Sequence, residues 1–265
     1  MSPIEGWSYW LAAFCYALSF GIGLYAAVFG KSRLGKGSLV LFTLGAVFHL
    51  IAFLGRTFYV RHIPTIGNYE NILTGSLFIA VLAFLLFRKP RRFIGLLGTL
   101  PLILLLMGFA VVSDPSPRPF VASLQSSWLY IHIFFAWLAY AAFTVAAGVA
   151  VAYLIQLRRG KLNEYFDELM FRLTAFGLIA DAIMIAAGSI WAKDLWGSYW
   201  SWDPVETWSL LSFLLYGLIL HLRITLGIKG KRMAWLLMAS LITVLVAFWG
   251  VNFAVQSSMH IFNIG

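Results

Sequence analysis

Residues 127–157 read SWLYIHIFFAWLAYAAFTVAAGVAVAYLIQL, a run of 31 residues without a single Asp, Glu, Lys or Arg. A helix needs only about 20 apolar residues to cross a bilayer. Inside lipid, every backbone N–H and C=O must be hydrogen-bonded within the segment itself, and long apolar runs achieve this as α-helices. The stretch therefore predicts a transmembrane helix that is long enough to tilt or to protrude from the membrane.

Seven further apolar runs accompany this one along the chain. The eight predicted spans are residues 7–29, 38–59, 69–87, 93–112, 127–157, 168–191, 206–227 and 233–256. Only 11% of the residues are charged and 62% are hydrophobic, whereas a soluble domain carries roughly twice that charged fraction. The sequence shows no alternation of the kind that marks a transmembrane barrel. We expect an all-α polytopic membrane bundle of eight helices, forming a single domain over residues 1–265.

The basic residues predict the orientation of the bundle. The net charge is +9, but the charges lie in short clusters between apolar runs, which is typical of topology determinants rather than of nucleic-acid binding. Alternate loops hold the clusters at residues 31–36, 88–92, 158–161 and 229–232. By the positive-inside rule these loops are cytoplasmic. Both termini should then face the outer side, together with the loops near residues 60–68, 113–126 and 192–205. The N-terminus lacks the basic flank of a cleavable signal peptide.

The loop between the sixth and seventh spans is rich in tryptophan. Residues 191–208 read WAKDLWGSYWSWDPVETW and contain five of the eleven tryptophans of the chain. An aromatic belt at the membrane interface needs only one or two such residues at each helix end. A flat aromatic surface beside the membrane would suit a flat, apolar ligand such as a porphyrin. Within this stretch, Asp203, Pro204 and Glu206 have the order of a helix start, so we expect Asp203 and Glu206 to cap the seventh span.

The same stretch resembles a known family. Residues 196–208 are similar to the WWD signature of haem-handling membrane proteins, and most of all to that of the CcsA/ResC family of System II cytochrome c biogenesis, named CcsB in some bacteria. Residues 124–132 (LQSSWLYIH), 216–223 (YGLILHLR) and, more loosely, 64–70 (PTIGNYE) are similar to other segments of that family. Val205 stands where many members carry lysine, so a haem propionate would lack a cation there. The resemblance covers the second half of the chain well and the first half weakly.

This resemblance implies a function and a set of site residues. The chain would bind haem b non-covalently, in transit, move it across the membrane and present it at the outer face for attachment to apocytochrome c. The outer histidines His132 and His260 would be axial iron ligands, and His221 would be the in-membrane ligand. The residues of the outer loop 192–208 implied to contact haem are Trp196, Trp200, Trp202, Asp203 and Trp208. From the residues alone, His132 and His260 are better interpreted as interfacial side chains with a satisfied hydrogen bond, and the family pattern reverses this preference.

The resemblance also implies partners. They are a CcsB/ResB-type membrane protein, which would supply the second ligand beside His221, an apocytochrome c, a thioredoxin-like thiol reductant and membrane lipid, but no nucleic acid. The sequence offers no plausible nucleophile and hence no catalytic residue, so we interpret the chain as the haem-presenting subunit of a haem lyase rather than a self-sufficient enzyme. Its expected location is the bacterial inner membrane, in preference to a thylakoid.

Two other functions remain open from the sequence. The chain could transport another amphipathic substrate, with the tryptophan loop as its vestibule. It could also be a haem-containing electron-transfer protein, for which His49 and His221 are the only intramembrane histidines.

Four further residues carry predictions of their own. We expect His49 to be a helix–helix contact, Cys15 a small buried residue, and Asp181 either paired in the bundle interior or protonated. Arg56 should snorkel, pair with Glu70 or meet a haem propionate, and a structural role is favoured.

Overall fold

The described residues fold into helices joined by loops. The computed structural model describes residues 1–89, 92–118, 125–160 and 164–250, and these ranges contain no strand. Eight of the described helices are long and apolar enough to cross a membrane. They are α1 Pro3–Phe29, α2 Ser32–Val60, α3 Gly67–Phe87, α4 Ile94–Val111, α5 Ser127–Arg158, α6 Glu164–Trp196, α7 Pro204–Thr225 and α8 Lys231–Leu245. The predictions of an all-α fold and of a multi-span membrane protein are confirmed, whereas the orientation of the termini stays a prediction.

The two longest helices, α5 and α6, far exceed the length that a bilayer requires. The helix α5 has 32 residues and α6 has 33, which correspond to lengths of about 48 and 50 Å. The hydrocarbon core is only about 30 Å thick. The helix α6 extends beyond the predicted span 168–191 at both ends, because polar residues continue the helix outside the apolar run. The helix α8 passes into a π-helical turn at Val246–Gly250, and the rest of the eighth predicted span lies outside the described residues.

The described chain divides into two compact units, Met1–Pro119 and Phe120–Gly265. The single haem-handling domain expected over residues 1–265 stays a prediction. In the first unit, α1 and α2 approach each other through small residues, as helices in membranes commonly do. The hydroxyls of Ser19 and Ser38 each donate to the other residue's backbone carbonyl at 2.8 Å. A Cβ added at Gly45 would lie 2.7 Å from the Tyr16 ring. Cys15 is buried, as expected.

His49 is fully buried in the first unit. Its Nε2 lies 3.0 Å from the Leu73 carbonyl oxygen, and since a carbonyl only accepts, Nε2 is the donor. Its Nδ1 lies 3.4 Å from the Tyr16 hydroxyl, which is then the donor. The ring thus joins α1, α2 and α3, and it is the helix–helix contact expected from the sequence.

A buried charge network lies near the end of α2. The Arg56 side chain is 1% exposed and donates to one oxygen of Glu70 through Nε at 3.0 Å and Nη2 at 2.8 Å. Its Nη1 donates to the Pro115 carbonyl at 2.7 Å. Glu5 lies 3.7 Å from Nη1 and accepts a hydrogen bond from the Tyr69 hydroxyl at 2.8 Å. Of the roles considered for Arg56, the structure shows the pairing with Glu70.

The second unit is built around α5. Most side chains between Ala136 and Tyr153 are buried, many of them alanines. The Tyr216 ring on α7 stacks on Phe143 of α5, with centroids 3.6 Å apart and planes 6° apart. Gly177 of α6 leaves room for this stack, since a Cβ there would lie 2.5 Å from the Phe143 ring. These contacts fix the spacing of α5, α6 and α7.

Candidate functional site

The tryptophan-rich stretch ends α6, forms a short loop and begins α7. The helix α6 ends at Trp196 and α7 begins at Pro204, so the loop comprises residues 197–203. Asp203 is the N-cap of α7, and its side chain accepts a hydrogen bond from the Val205 backbone N–H at 2.9 Å. Glu206 completes a capping box with it. Asp203 and Glu206 therefore form the cap that the sequence predicts.

Glu206 also holds the loop in place. One of its carboxylate oxygens accepts hydrogen bonds from the Ser201 backbone N–H at 2.8 Å, from the Ser201 hydroxyl at 3.2 Å and from the Asp203 backbone N–H at 3.3 Å. At the other end of the loop, Lys193 donates to the Gly197 carbonyl at 2.7 Å and lies 5.6 Å from the centroid of the Tyr199 ring. The loop is thus anchored to both helices, which limits how far its tryptophans can move.

The indole rings of the loop do not lie in one plane. Trp200 and Trp202 meet edge to face at 87°, with centroids 5.8 Å apart. Trp191 and Trp196 meet at 65° with centroids 5.0 Å apart. Trp202 is 69% exposed and its backbone has φ of 59°, a left-handed conformation. Instead of the flat surface expected from the sequence, these two pairs offer a combination of ring faces and ring edges.

His132 lies at the same end of the second unit as the loop. It sits in the second turn of α5, and its Nδ1 is 2.9 Å from the backbone carbonyl oxygen of Met184 on α6. A carbonyl only accepts, so Nδ1 carries the proton. In the neutral ring, Nε2 then holds the lone pair that can bind a metal. The ring also stacks on Trp191, with centroids 6.5 Å apart and planes 23° apart.

Gly188 makes this position of the imidazole possible. It follows Met184 by one turn on the same face of α6, and a Cβ atom at Gly188 would lie 2.5 Å from Nδ1 of His132. Any larger residue at position 188 would push the ring away from the Met184 carbonyl. Such a backbone contact fixes the orientation of a metal-binding histidine in many proteins.

His132 opens into a cleft between α6 and the loop. The residues lining this cleft include His132, Gly188, Tyr199, Trp200, Glu206 and Ser209. The lining contains no lysine or arginine within the part of the chain that the structure describes. In agreement with the presence of Val205 instead of lysine, the described residues of the lining offer no cation to a carboxylate of a ligand.

The remaining predicted site residues lie elsewhere. His221 is on α7, fifteen residues beyond Glu206 and therefore about 22 Å along the helix, and its side chain is exposed on the surface of the chain. Trp208 is partly buried in the first turns of α7. His260 lies outside the described residues. The structure thus brings His132 and Trp200 to one cleft, while the placing of His260 beside them stays a prediction.

Sequence reasoning missed three contributors to the cleft. The sequence indicated Trp191 only as a member of the tryptophan-rich stretch, whereas the structure shows that it stacks on His132. Gly188 and Ser209 carried no signal, because a small residue in an apolar helix has no distinctive pattern. Finding them from the sequence requires knowing which turns of α5, α6 and α7 face one another.

The fold is shared with a solved structure. It matches the one titled Cytochrome c Heme Lyase CcmF with a TM-score of 0.74 and 22% sequence identity. The match covers 94% of this chain but only 47% of that chain, so this chain spans about half its length. This fold defines the class of the protein, which is a multi-span helical membrane protein with the CcmF fold.

Sequence comparisons show the family. A family model described as cytochrome C assembly protein matches residues 66–259. Proteins named cytochrome c biogenesis protein CcsA are similar over most of their lengths. The one from Heterosigma akashiwo is 33% identical, over 75% of this chain and 76% of its own. Those from Guillardia theta and Gloeobacter violaceus are each 29% identical, covering 89% and 92% of this chain and 88% and 92% of their own. This chain belongs to the cytochrome c assembly protein family, and the resemblance to CcsA is confirmed.

Proposed function

We propose that this chain binds haem in the His132 cleft and presents it for covalent attachment to apocytochrome c. The observation that carries the proposal is the hydrogen bond from His132 Nδ1 to the Met184 carbonyl. It orients the imidazole and leaves the Nε2 lone pair as an iron ligand. A porphyrin supplies the four equatorial ligands of its iron and takes axial ligands from protein side chains such as histidine.

The surroundings of His132 support an aromatic, uncharged ligand. Trp200 lines the cleft and offers an aromatic surface beside the imidazole, and such a surface favours contact with a flat polarisable ring. The buried Trp191 supports the imidazole by stacking on it. Trp196, Trp202, Asp203 and Trp208 belong to the same stretch and complete the proposed contact set. Since no described residue of the cleft lining is a lysine or arginine, we expect the haem propionates to point away from it, towards solvent or a partner.

The anchored loop would position haem for the reaction. In that reaction, a reduced cysteine sulfur of the apocytochrome bonds to the vinyl carbon next to the ring, and the thiol proton ends on the terminal vinyl carbon. No oxidant is consumed, but the thiols must be reduced, which accounts for a thioredoxin-like partner. The contribution of this chain is to hold the vinyl groups near the thiols, and such positioning alone accelerates a bimolecular step strongly.

A second haem-binding position is proposed at His221. The exposure of this histidine on α7 is unusual for an ionisable residue within a membrane span. An exposed position suits a histidine that supplies one iron ligand while another protein supplies the second. The CcsB/ResB-type partner is the candidate for that protein. Haem received at His221 would then pass outward to His132 and His260, in the membrane of a bacterial cell.

The test is to co-express the full chain with its CcsB/ResB-type partner and a reporter apocytochrome. We expect His132→Gly and His260→Gly each to reduce bound haem, measured by the Soret absorbance, and to reduce mature cytochrome, measured by haem staining. Added imidazole should restore part of the haem spectrum of the His132→Gly variant, because it can occupy the vacated space and bind iron. His62→Ala is the matched control, since His62 lies in the first unit, in the loop after α2.

Three results would contradict the proposal. A His132→Gly, His260→Gly double variant with full haem occupancy and full cytochrome maturation would remove the ligand assignment. Haem that is absent from the purified complex under every condition would instead favour transport of another amphipathic substrate. Stoichiometric redox-active haem without a maturation defect on deletion would favour electron transfer. The structure gives this last function no support, because both ring nitrogens of His49 are engaged by Leu73 and Tyr16.

A further inference from the structure

Two polar groups in the interior of the second unit lack hydrogen bonds. Asp181 of α6 and Tyr216 of α7 are both fully buried. Neither carboxylate oxygen of Asp181, nor the Tyr216 hydroxyl, has a hydrogen-bond partner among the residues that the structure describes. Burying an unpaired hydroxyl is unfavourable, and burying an unpaired carboxylate is far more so. Native proteins satisfy such groups with internal water or with a proton.

No cation compensates the charge of Asp181 within the described part of the second unit. Arg223 pairs with Asp167 and Arg172 pairs with Glu168, all near the start of α6 or the end of α7. Asp181 lies seventeen residues from Glu164 and fifteen from Trp196, the two ends of α6. These separations correspond to about 26 and 22 Å along the helix, so Asp181 is deep within the span. An ionised carboxylate at such depth needs a counter-charge, whereas a neutral carboxylic acid does not.

Packing places the phenol groups beside this acid. The Tyr216 ring is fixed by its stack on Phe143 at 3.6 Å, and Phe143 in turn lies against Gly177, one turn before Asp181. The helices α5 and α6 run antiparallel, since His132 meets Met184 and Phe143 meets Gly177. Tyr140 precedes Phe143 by about one turn and Asp181 follows Gly177 by about one turn, so Tyr140 and Asp181 lie at the same level of the two helices. The two tyrosines are therefore the titratable groups that face Asp181 from α7 and α5. The stack on Phe143 sets the position of Tyr216, and its hydroxyl, which has no hydrogen-bond partner among the described residues, can bind a small polar ligand.

We propose that Asp181, Tyr140 and Tyr216 form an internal water-binding site that holds an exchangeable proton on the Asp181 carboxyl. The carboxylic acid offers one donor and further acceptor positions, and each phenol offers one donor and one acceptor. An internal water typically makes about three hydrogen bonds, and these three side chains supply them. The site holds water and a proton as its ligands, and it is separate from the proposed haem contacts.

This site has a route to the His132 cleft. The Tyr140 hydroxyl lies 3.5 Å from the Ser209 hydroxyl, a distance at the limit of a direct hydrogen bond that a water can bridge. Ser209 lines the cleft together with His132. Asp181 also precedes Met184, whose carbonyl holds His132, by three residues, or about 4.5 Å along α6. Protons and water should therefore exchange between Asp181 and the cleft through Tyr140 and Ser209.

Infrared spectroscopy of the purified full chain in lipid nanodiscs tests the proposal. We expect a carbonyl-stretching band from a protonated carboxylic acid, which disappears in Asp181→Asn and shifts to lower frequency in D₂O. Asp194→Asn is the matched control, because Asp194 is an exposed carboxylate on the same helix and its loss should leave the band unchanged. Labelling the aspartate side-chain carboxyls with ¹³C in the wild-type protein assigns the same band should Asp181→Asn fail to fold.

Three outcomes would overturn the proposal, in whole or in part. An absence of any Asp181-dependent acid band would mean that Asp181 is ionised and paired. A band that does not shift in D₂O would mean a dry acid without water. For the route, we expect Tyr140→Phe and Ser209→Ala to slow the deuterium shift at least tenfold, and an unchanged rate would place the exchange elsewhere. The measurement needs no haem, so it is independent of the outcome for the proposed function.

Discussion

Gly188 and His132 fit together so closely that a Cβ atom at position 188 would lie 2.5 Å from the imidazole Nδ1. The two residues are on neighbouring helices. Their close contact lets the imidazole Nδ1 lie 2.9 Å from the Met184 carbonyl oxygen. The orientation of the proposed iron ligand thus depends on a residue without any functional group. This dependence gives a test that leaves every proposed ligand in place.

We predict that Gly188→Ala weakens haem binding by about 10–100-fold, the usual effect of losing a contact that orients a metal ligand. The added methyl group must displace the His132 ring. Alanine favours a helix over glycine by about 1 kcal/mol, so lower stability of α6 should not be the cause. Haem titration followed by Soret absorbance measures the effect. Gly217→Ala is the control, since its Cβ would meet only Leu178, at 4.0 Å. Equal haem affinities for the two variants would contradict the prediction.

Replacing Glu206 should release the tryptophan loop. In Glu206→Ala, Ser201 and Asp203 lose the carboxylate that accepts their hydrogen bonds, and the N-terminal cap of α7 is weakened by about 0.5–2 kcal/mol. Hydrogen exchange of the backbone amides of Ser201, Trp202, Asp203 and Val205 should become faster by a matching factor. Glu206→Gln retains an acceptor oxygen and should show a smaller effect. Unchanged exchange in Glu206→Ala would mean that the loop is held by other contacts.

The buried charge network should dominate the stability of the first unit. Arg56→Met leaves Glu70 and Glu5 buried without their cation, and breaking such a pair costs about 3–5 kcal/mol. The exposed pair of Arg172 and Glu168 is the comparison, because Arg172→Met should cost less than about 1 kcal/mol. Thermal unfolding in detergent measures both variants. Similar unfolding temperatures for the two would show that Arg56 is not the structural residue described above.

His221 and His49 should respond oppositely to substitution. His221 is exposed, so His221→Gln should change the free energy of unfolding by less than about 0.5 kcal/mol, yet remove haem bound by the complex with the partner protein. His49 is fully buried, and His49→Ala leaves polar groups unpaired at a cost of about 1–3 kcal/mol. The folded fraction of the His49→Ala variant should still bind haem. Haem spectra and unfolding curves of both variants check this, and loss of haem in His49→Ala alone would reverse the two roles.

Much of the fold could be predicted from the sequence. Apolar runs mark transmembrane helices because backbone polar groups cannot remain unpaired in lipid, and all eight predicted spans correspond to helices of the described structure. The ends of the helices were predicted less well than their positions. The helix α6 continues to Trp196, past the predicted span, because Lys193 and Asp194 do not interrupt a helix outside the apolar region. The cap at Asp203 and Glu206 was also predictable, since it depends on residues close together in the chain.

The interior of the candidate site could not be predicted in the same way. His132 meets Met184 and Gly188 across more than fifty residues of chain, and no local pattern records which turns of two apolar helices face each other. The resemblance to a family indicated His132, but not its tautomer or its anchoring carbonyl. The pairing of Arg56 with Glu70 was one of several alternatives for the same reason. The positive charge of Arg56 requires a negative or polar partner, but the sequence does not show which candidate lies next to it in the fold.

The left-handed backbone at Trp202 has a consequence for how sequences of this kind change over time. Holding a tryptophan at a φ of 59° costs about 1–2 kcal/mol relative to glycine, and its indole gains little from burial. If variants were selected for thermal resistance alone, position 202 should drift to glycine or asparagine. If they were selected for cytochrome maturation, tryptophan should be retained there at the expense of a lower melting point.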